Sequence, residues 1–301
     1  MKLNAIRDFV TVADRGSLRA AARHLDVAQP AITRSIQELE KELGVPLFER
    51  GAKGVSLTPM GALFLKRSKA VRSELSRAKE ELDQMRGQLH GHVRVCLSSA
   101  AHMALLPNAL QPFRKRYPDV ALDIIDGLLP SVESELKDGT VDCYVGPASD
   151  ETSGELAIEK LFDNTRVILG RKGHPLAHAK SLRDLSGAEW VTTSLTHRAD
   201  QELGPLFKQH GLPPPRLVVQ THSALTFLFT VAYSDLLMML PVQWTQAPMF
   251  RDVLQRIDVV EPLIALPVCI VRRAGLPLTP AAEYFCDMMR RASAHKETLM
   301  A

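Results

Sequence analysis

Between Gln29 and Gln37 the chain places an amide, a hydroxyl, a guanidinium and a second amide at Gln29, Thr33, Arg34 and Gln37, the spacing of successive turns of a helix. Such side chains read the edges of stacked bases. An amide fork suits adenine, a guanidinium fork suits guanine or a phosphate, and threonine offers a hydroxyl and a methyl. Pro30 sits in the first turn of the same stretch, where its missing N–H costs nothing. Ser17 and Arg19 open the preceding segment and belong to the same candidate surface, as do Arg50 and Lys53, cations beside Gly51 and Gly54 that are placed for phosphates.

Three helices position these groups. Leu3, Ile6, Phe9, Val10 and Ala13 follow helical spacing over residues 3–14, and Gly16-Ser17 stops that helix. Ser17 is an N-cap for a second, alanine-rich helix from Leu18 to Leu25. Asp26-Val27-Ala28 is a turn. A third helix runs from Gln29 to Leu43, with Ala31, Ile32, Ile36, Leu39 and Leu43 as its buried stripe and Gly44 as its end. Two helices joined by so short a turn match a helix-turn-helix, whose second member meets base edges. The segment Pro46–Thr58, two short apolar flanks around a Gly/Lys tip, reads as a hairpin wing. A plain three-helix bundle with a solvated charged face satisfies the helix pattern equally well.

Charge is unevenly divided. The whole chain of 301 residues carries +3, but residues 1–72 carry +6 and residues 91–301 carry −2. A basic N-terminal segment on a slightly acidic remainder points to a polyanion-binding module joined to something else. Between them, Val71, Leu75, Ala78, Leu82, Met85 and Leu89 recur at alternating steps of four and three, flanked by Arg72, Glu74, Arg77, Lys79, Glu80, Glu81 and Arg86. That heptad seam predicts a helix that pairs with a second copy.

From His92 onward strands and helices alternate, which predicts parallel α/β architecture. Strands are expected at His92–Ser98, Val120–Ile125, Val141–Val145, Thr165–Gly170, Glu189–Thr193, Arg216–Gln220, Leu236–Leu240 and Ile264–Val271. Helices are expected at Leu105–Tyr117, Val132–Asp138, Asp200–His210, Ser223–Tyr233 and Pro280–Ala294. Ligands of open α/β sheets bind beyond the carboxyl ends of strands. This directs attention to Ser98, Ser99 and Ala100, to Leu129, to Gly146 and Pro147, and to Thr193 and Ser194, with His197 nearby as a group that would pair with an anion.

No nucleophile elbow, phosphate loop or paired-carboxylate motif is present, so no enzyme is expected. The four cysteines, Cys96, Cys143, Cys269 and Cys286, have no metal-ligand or attacking-and-resolving spacing; neither a metal nor a cofactor is expected. The start lacks a signal-peptide apolar core and no apolar run is long enough to span a bilayer, which predicts a cytoplasmic protein with no membrane partner.

The string Phe9, Gly16-Ser17-Leu18-Arg19-Ala20-Ala21-Ala22, Leu25, Gln29-Pro30-Ala31-Ile32-Thr33, Ile36, Leu39-Glu40, Leu43-Gly44, Leu47-Phe48, Arg50, Leu57-Thr58-Pro59 and Gly61 resembles the N-terminal domain of the LysR-type transcriptional regulators. The resemblance implies an all-α winged helix-turn-helix over 1–60, a linker and dimerisation helix over 61–90, and an α/β effector domain over 91–301 similar to periplasmic binding proteins. That domain would have a first subdomain of about 91–161 plus 267–301 and a second of about 162–266, hinged at two crossings near 161 and 266. It also implies dimers that join as tetramers, a double-stranded DNA operator, and a small-molecule effector, a carboxylate or aromatic acid. The chain departs from the pattern at four places: Ala28, where Ser or Thr is usual; Ala100 and Leu129, where polar residues are usual; and Ser234-Asp235-Leu236, where Gly-x-Gly is usual.

Overall fold

The computed structural model describes residues 1–51, 54–149, 154–193, 200–221 and 223–300, without the side chains of 50, 193, 200–202 and 296–300. Lys53, Ser194 and His197 lie outside the described residues, and Arg50 and Thr193 are described in backbone only. The chain divides into two compact units, the first being Met1–Gly87 with the short segment Lys137–Thr140, the second Gln88–Leu136 and Val141–Ala301.

The first unit is built from α1 (Leu3–Arg15), α2 (Leu18–Leu25), α3 (Gln29–Leu43), a hairpin of β1 (Phe48–Gly51) and β2 (Gly54–Leu57), and α4 (Pro59–Met85). Its core gathers Ile6, Phe9, Val10, Ala21, Ala22, Ile32, Ile36, Leu39 and Leu47. Phe9 is the hub, its ring 5.2 Å from Phe48 and 5.1 Å from Phe64. Alanines in α2 let α1 and α3 approach closely, and the Ser17 hydroxyl caps α2 by accepting from the Ala20 amide at 3.0 Å.

Hydrogen bonds from two directions join the wing to the helices. The Glu40 carboxylate accepts the amides of Leu47 and Phe48 at 2.7 and 3.1 Å. The Val55 amide donates to the Gly16 carbonyl at 3.1 Å. Gly54 makes the second approach possible: its φ is +129°, and a β-carbon there would fall 2.5 Å from that carbonyl oxygen.

In the second unit a first subdomain begins with β3 (His90–Leu97), α5 (Ser99–Ala104), α6 (Leu106–Arg116), β4 (Asp119–Asp126), α7 (Leu129–Asp138), β5 (Cys143–Pro147) and β6 (Leu156–Phe162). The chain then crosses into β7 (Arg166–Arg171), β8 (Glu189–Thr193), α8 (Asp200–Gln209), β9 (Arg216–Thr221), α9 (Ala224–Ala232), β10 (Met238–Pro241), α10 (Gln243–Gln246) and β11 (Leu254–Ile257). It returns with β12 (Val268–Arg273) and α11 (Pro280–Met300).

The first subdomain's sheet has the order β4-β3-β5-β12-β6, and the second's described strands form the groups β10-β7-β11 and β8-β9. β3 is parallel to β4 and β5, but β12 runs antiparallel to β5 and β6, and β7 is antiparallel to both β10 and β11. The expected all-parallel reading is therefore corrected to mixed sheets. Both faces are covered. Val93, Val95 and Leu97 of β3 point to the cluster of Phe113 and Phe285, while Cys96 points to that of Leu136 and Tyr144. The same period of two places Val167 and Leu169 on one side of β7 and Ile168 on the other.

Three further expectations shift. The last strand starts at Val268, not Ile264, because Pro267 interrupts the ladder; Ile264 makes only a single antiparallel bridge to Thr165. Leu89 lies past the end of α4 and packs on the first subdomain's core, so it leaves the heptad seam. Cys143 and Cys286, far apart in sequence, meet as hydrogen-bonded thiols in that core.

Candidate nucleic-acid interface and effector cleft

α3 buries Ile32, Ile36 and Leu39 and turns Gln29, Pro30, Arg34 and Gln37 to solvent. Thr33 is half-buried and its hydroxyl donates to the Gln29 carbonyl at 3.1 Å. That leaves the oxygen's lone pairs as acceptors and its methyl free to pack. Ala31 and Leu43, expected in the buried stripe, are exposed instead, since the stripe narrows at both ends of the helix. Ala28 is the N-cap and supplies no side-chain bond; Pro30 has no amide N–H, and the Ala31 amide donates to the Ala28 carbonyl at 2.9 Å. Arg19 on α2 is exposed, and Ser17 is half-buried with its oxygen engaged in the cap.

In the second unit, a cavity of about 220 Å³ lies between the two subdomains. Ser98, Ser99 and Ala100 line it just past the end of β3, Asp126 at the end of β4 with Leu128 just beyond it, and Pro147 at the end of β5. These are the carboxyl ends of the three mutually parallel strands, as the sheet rule requires. Ser98 is 2% exposed, and its hydroxyl accepts the Ala101 amide at 3.3 Å to cap α5. The strand end thus turns directly into a helix, a feature the alternating strand pattern did not reveal.

Two expected cleft residues stand behind the wall. Leu129, in the first turn of α7, is buried with Val132, Leu136 and Tyr144. Gly146 is a close-packing position: a β-carbon there would fall 2.3 Å from the Tyr144 hydroxyl and 2.7 Å from the Ser98 β-carbon. The polar residue missing at Leu129 therefore removes nothing from the cleft surface.

The opposite wall was not foreseen. It comprises Asn164 on the outgoing crossover, Arg166 at the start of β7, Ala224 and Phe227 of α9, Leu240 and Pro241 of β10, Trp244 of α10, and Ala265 and Leu266 on the return crossover. The two crossovers are bonded to each other: Thr165 bridges Ile264, and the Arg166 amide donates to the Leu263 carbonyl at 2.9 Å. A two-stranded joint between subdomains has the form of a hinge. His102 donates locally, its Nδ1–H lying 3.0 Å from the Ser98 carbonyl oxygen.

The thiols have no place in either site. All four are buried, and burial together with the nearby Asp126 carboxylate pushes the Cys96 thiol up to about 12. Among the described residues no group of His, Cys, Asp or Glu could hold a metal ion, and no helix is long and apolar enough to cross a membrane.

A helix-turn-helix unit with a hairpin wing, followed in the chain by an α/β domain with a cleft, is the arrangement of a one-component regulator: a DNA-binding module and a ligand-binding domain in one chain. Residues 3–62 match the bacterial regulatory helix-turn-helix proteins of the lysR family and residues 86–294 match the LysR substrate binding domain, so the chain belongs to the LysR family of transcriptional regulators. It is 28% identical to the HTH-type transcriptional regulator GalR of Pseudomonas putida over 91% of this chain and 70% of that one. It is 25% identical to the HTH-type transcriptional regulator TdcA of Escherichia coli over 95% of this chain and 92% of that one. Its fold matches the structure of full-length CbnR complexed with its target DNA, with a TM-score of 0.69 and 23% identity over 97% of this chain and all of that one. These relatives are regulators, not enzymes.

Proposed function

We propose that the chain binds a two-fold DNA operator in the cytoplasm through α3 and the wing, and that a small carboxylate, aromatic or aliphatic, entering the cleft changes that grip. Gln29, Thr33, Arg34 and Gln37 read bases, while Pro30, Ser17, Arg19, Arg50 and Lys53 shape and steady the contact with phosphates. Residues 1–60 act as the reader, 61–90 as the pairing helix and 91–301 as the sensor. Dimers formed along α4 present two readers, and two dimers joined as a tetramer let subdomain closure alter the spacing of half-sites. The supporting observation is the division of α3 into a buried stripe and a polar outward face that carries the exposed Arg34 and Gln37. CbnR, a relative in fold, has been captured on its target DNA.

The cleft fits the ligand class. Its volume of about 220 Å³ lies below the roughly 300–1,000 Å³ of drug-sized sites, which suits a small metabolite. Arg166 supplies a positive charge among apolar walls of Phe227, Leu240 and Leu266. A gel shift on DNA flanking the chain's own gene tests the reader. Arg34→Ala is expected to lose retardation while keeping the wild-type oligomer. Unchanged retardation by that variant across a salt series would remove α3 from the DNA interface.

A further inference from the structure

Four buried polar atoms at one joint of the hinge have no hydrogen-bond partner among the described residues. They are the amide oxygen and nitrogen of Asn164, the amide oxygen of Gln243 and the indole Nε1 of Trp244. Asn164, Gln243 and Trp244 are 6%, 1% and 3% exposed. Protein covers all four atoms, so neither water nor a molecule in the cleft reaches them in this arrangement. Native proteins leave few such groups, and each calls for an explanation. The strand register shows why they lie together. β7 and β10 pair antiparallel with Arg166 opposite Pro241, and the ladder runs one step further, where the Val242 amide donates to the Thr165 carbonyl at 3.0 Å. The next pair in that register is Asn164 and Gln243. Val242 has helical backbone, φ −56° and ψ −24°, and turns the chain into α10, so the ladder stops one pair short. Trp244 follows, and other atoms of Trp244 and Asn164 line the same cleft.

The four atoms are complementary. The Gln243 oxygen needs a donor, the indole N–H needs an acceptor, and the Asn164 amide offers one of each. Trp190 also has an unpartnered indole, but it stands edge-on to Phe207 in a different core. We propose that the hinge has two states and that Asn164 is the clasp between them. In the unclasped state, the one in this structure, the four atoms are unpaired. In the clasped state the Asn164 amide donates to the Gln243 oxygen and the Asn164 oxygen accepts from the Trp244 indole. Unpaired buried groups destabilise the first state, which brings the second within reach of thermal exchange. Position gives the clasp its effect. Asn164 lies on the outgoing crossover between the lobes. α10 lies against α5 of the first subdomain, and Met103 of α5 packs on the core that holds Trp244. α5 begins at Ser99 in the cleft wall, so closing the clasp re-seats α10 on α5 and shifts that wall. The clasp itself requires no ligand; only its link to effector binding rests on the cleft being the effector site.

The test uses ligand-free, full-length protein labelled with 5-fluorotryptophan. The chain has two tryptophans, Trp190 and Trp244, so fluorine resonances report them separately, with Trp244→Phe giving the assignment. Trp244 is expected to show two resonances, or one broadened by exchange, whose proportions change on warming, while Trp190 shows one. Asn164→Leu should leave Trp244 with a single sharp resonance. It also removes two unpaired atoms from the unclasped state, so the melting temperature should rise by about 2–4 °C. Gln243→Met removes one of the two clasp bonds and should shrink the second Trp244 population at least about fivefold.

One sharp Trp244 resonance in the wild-type protein at every temperature overturns the clasp. So do two resonances that persist unchanged in Asn164→Leu or in Gln243→Met. A melting temperature lowered by Asn164→Leu, in protein whose Trp190 resonance is native, overturns it as well, since the amide would then have partners in the unclasped state. If Asn164→Leu does not fold, Gln243→Met decides alone. Each of these outcomes is read without an effector, so the failure of the clasp leaves the assignment of the cleft standing.

Discussion

Gly61 has no room for a side chain, because a β-carbon there would fall 2.0 Å from the Leu47 carbonyl oxygen. Gly61→Ala should therefore lower stability by about 1–3 kcal/mol, measured as a shift in the denaturant midpoint; an unchanged midpoint would mean that α4 can slide. Ala28 makes the opposite case. As the N-cap of α3 it offers no side-chain acceptor, so Ala28→Ser should add up to about 1 kcal/mol in the same measurement, and no gain would mean that the Ala28 carbonyl, which already holds the Ala31 amide, is cap enough. The thiols give a third prediction at this scale. With Cys96, Cys143, Cys269 and Cys286 all buried, native protein at pH 8 should react slowly with a thiol reagent and release four equivalents on unfolding. Burial holds the Cys96 proton up to about 12, so the stability it reflects is present below the ordinary thiol value and is lost as pH climbs toward 12. Local signals such as the Ser17 cap and the Gly44 terminus could be read from neighbouring residues. The Glu40 carboxylate on Leu47 and Phe48, and the Thr58 hydroxyl that donates to the Pro46 carbonyl at 2.8 Å, join segments distant in sequence and left no local pattern.

At the scale of elements, α4 spans Pro59–Met85 with Val71, Leu75, Leu82 and Met85 all exposed, from 42% at Val71 to 75% at Met85. A long amphipathic helix that leaves its apolar seam in water needs a partner. Leu75→Glu together with Leu82→Glu should convert dimers to monomers by sedimentation and cut DNA affinity at least about tenfold, since one reader then binds alone; a variant that stays dimeric would move the interface off this seam. The longer helices of both units were legible because 3.6-residue periodicity, caps and terminal glycines coincide, whereas the short α5 and α10 were not. β6 and β11 were not. β6 alternates imperfectly, exposing Glu159 and Lys160 in succession, and is a strand because β12 pairs with it. The direction of β12 likewise depends on a long return crossover, which no local pattern encodes.

For the whole molecule, the order of helix-turn-helix unit, long helix and α/β domain was legible from motif, charge division and heptad spacing, whereas only one wall of the cleft was. Ser98, Ser99, Ala100 and Pro147 could be picked out as strand ends, but Asn164, Arg166, Phe227 and Trp244 converge only once two crossovers bring the lobes together. The central claim is that two readers in one assembly engage paired half-sites in DNA. Nuclease footprinting of the full-length protein across the region upstream of its own gene tests it most directly. Protection of two inverted half-sites separated by about 10–10.5 base pairs or a multiple, with the pattern lost in Arg34→Ala, is the predicted result. Uniform, sequence-independent protection, or none at any concentration that saturates binding to the fragment, would contradict it.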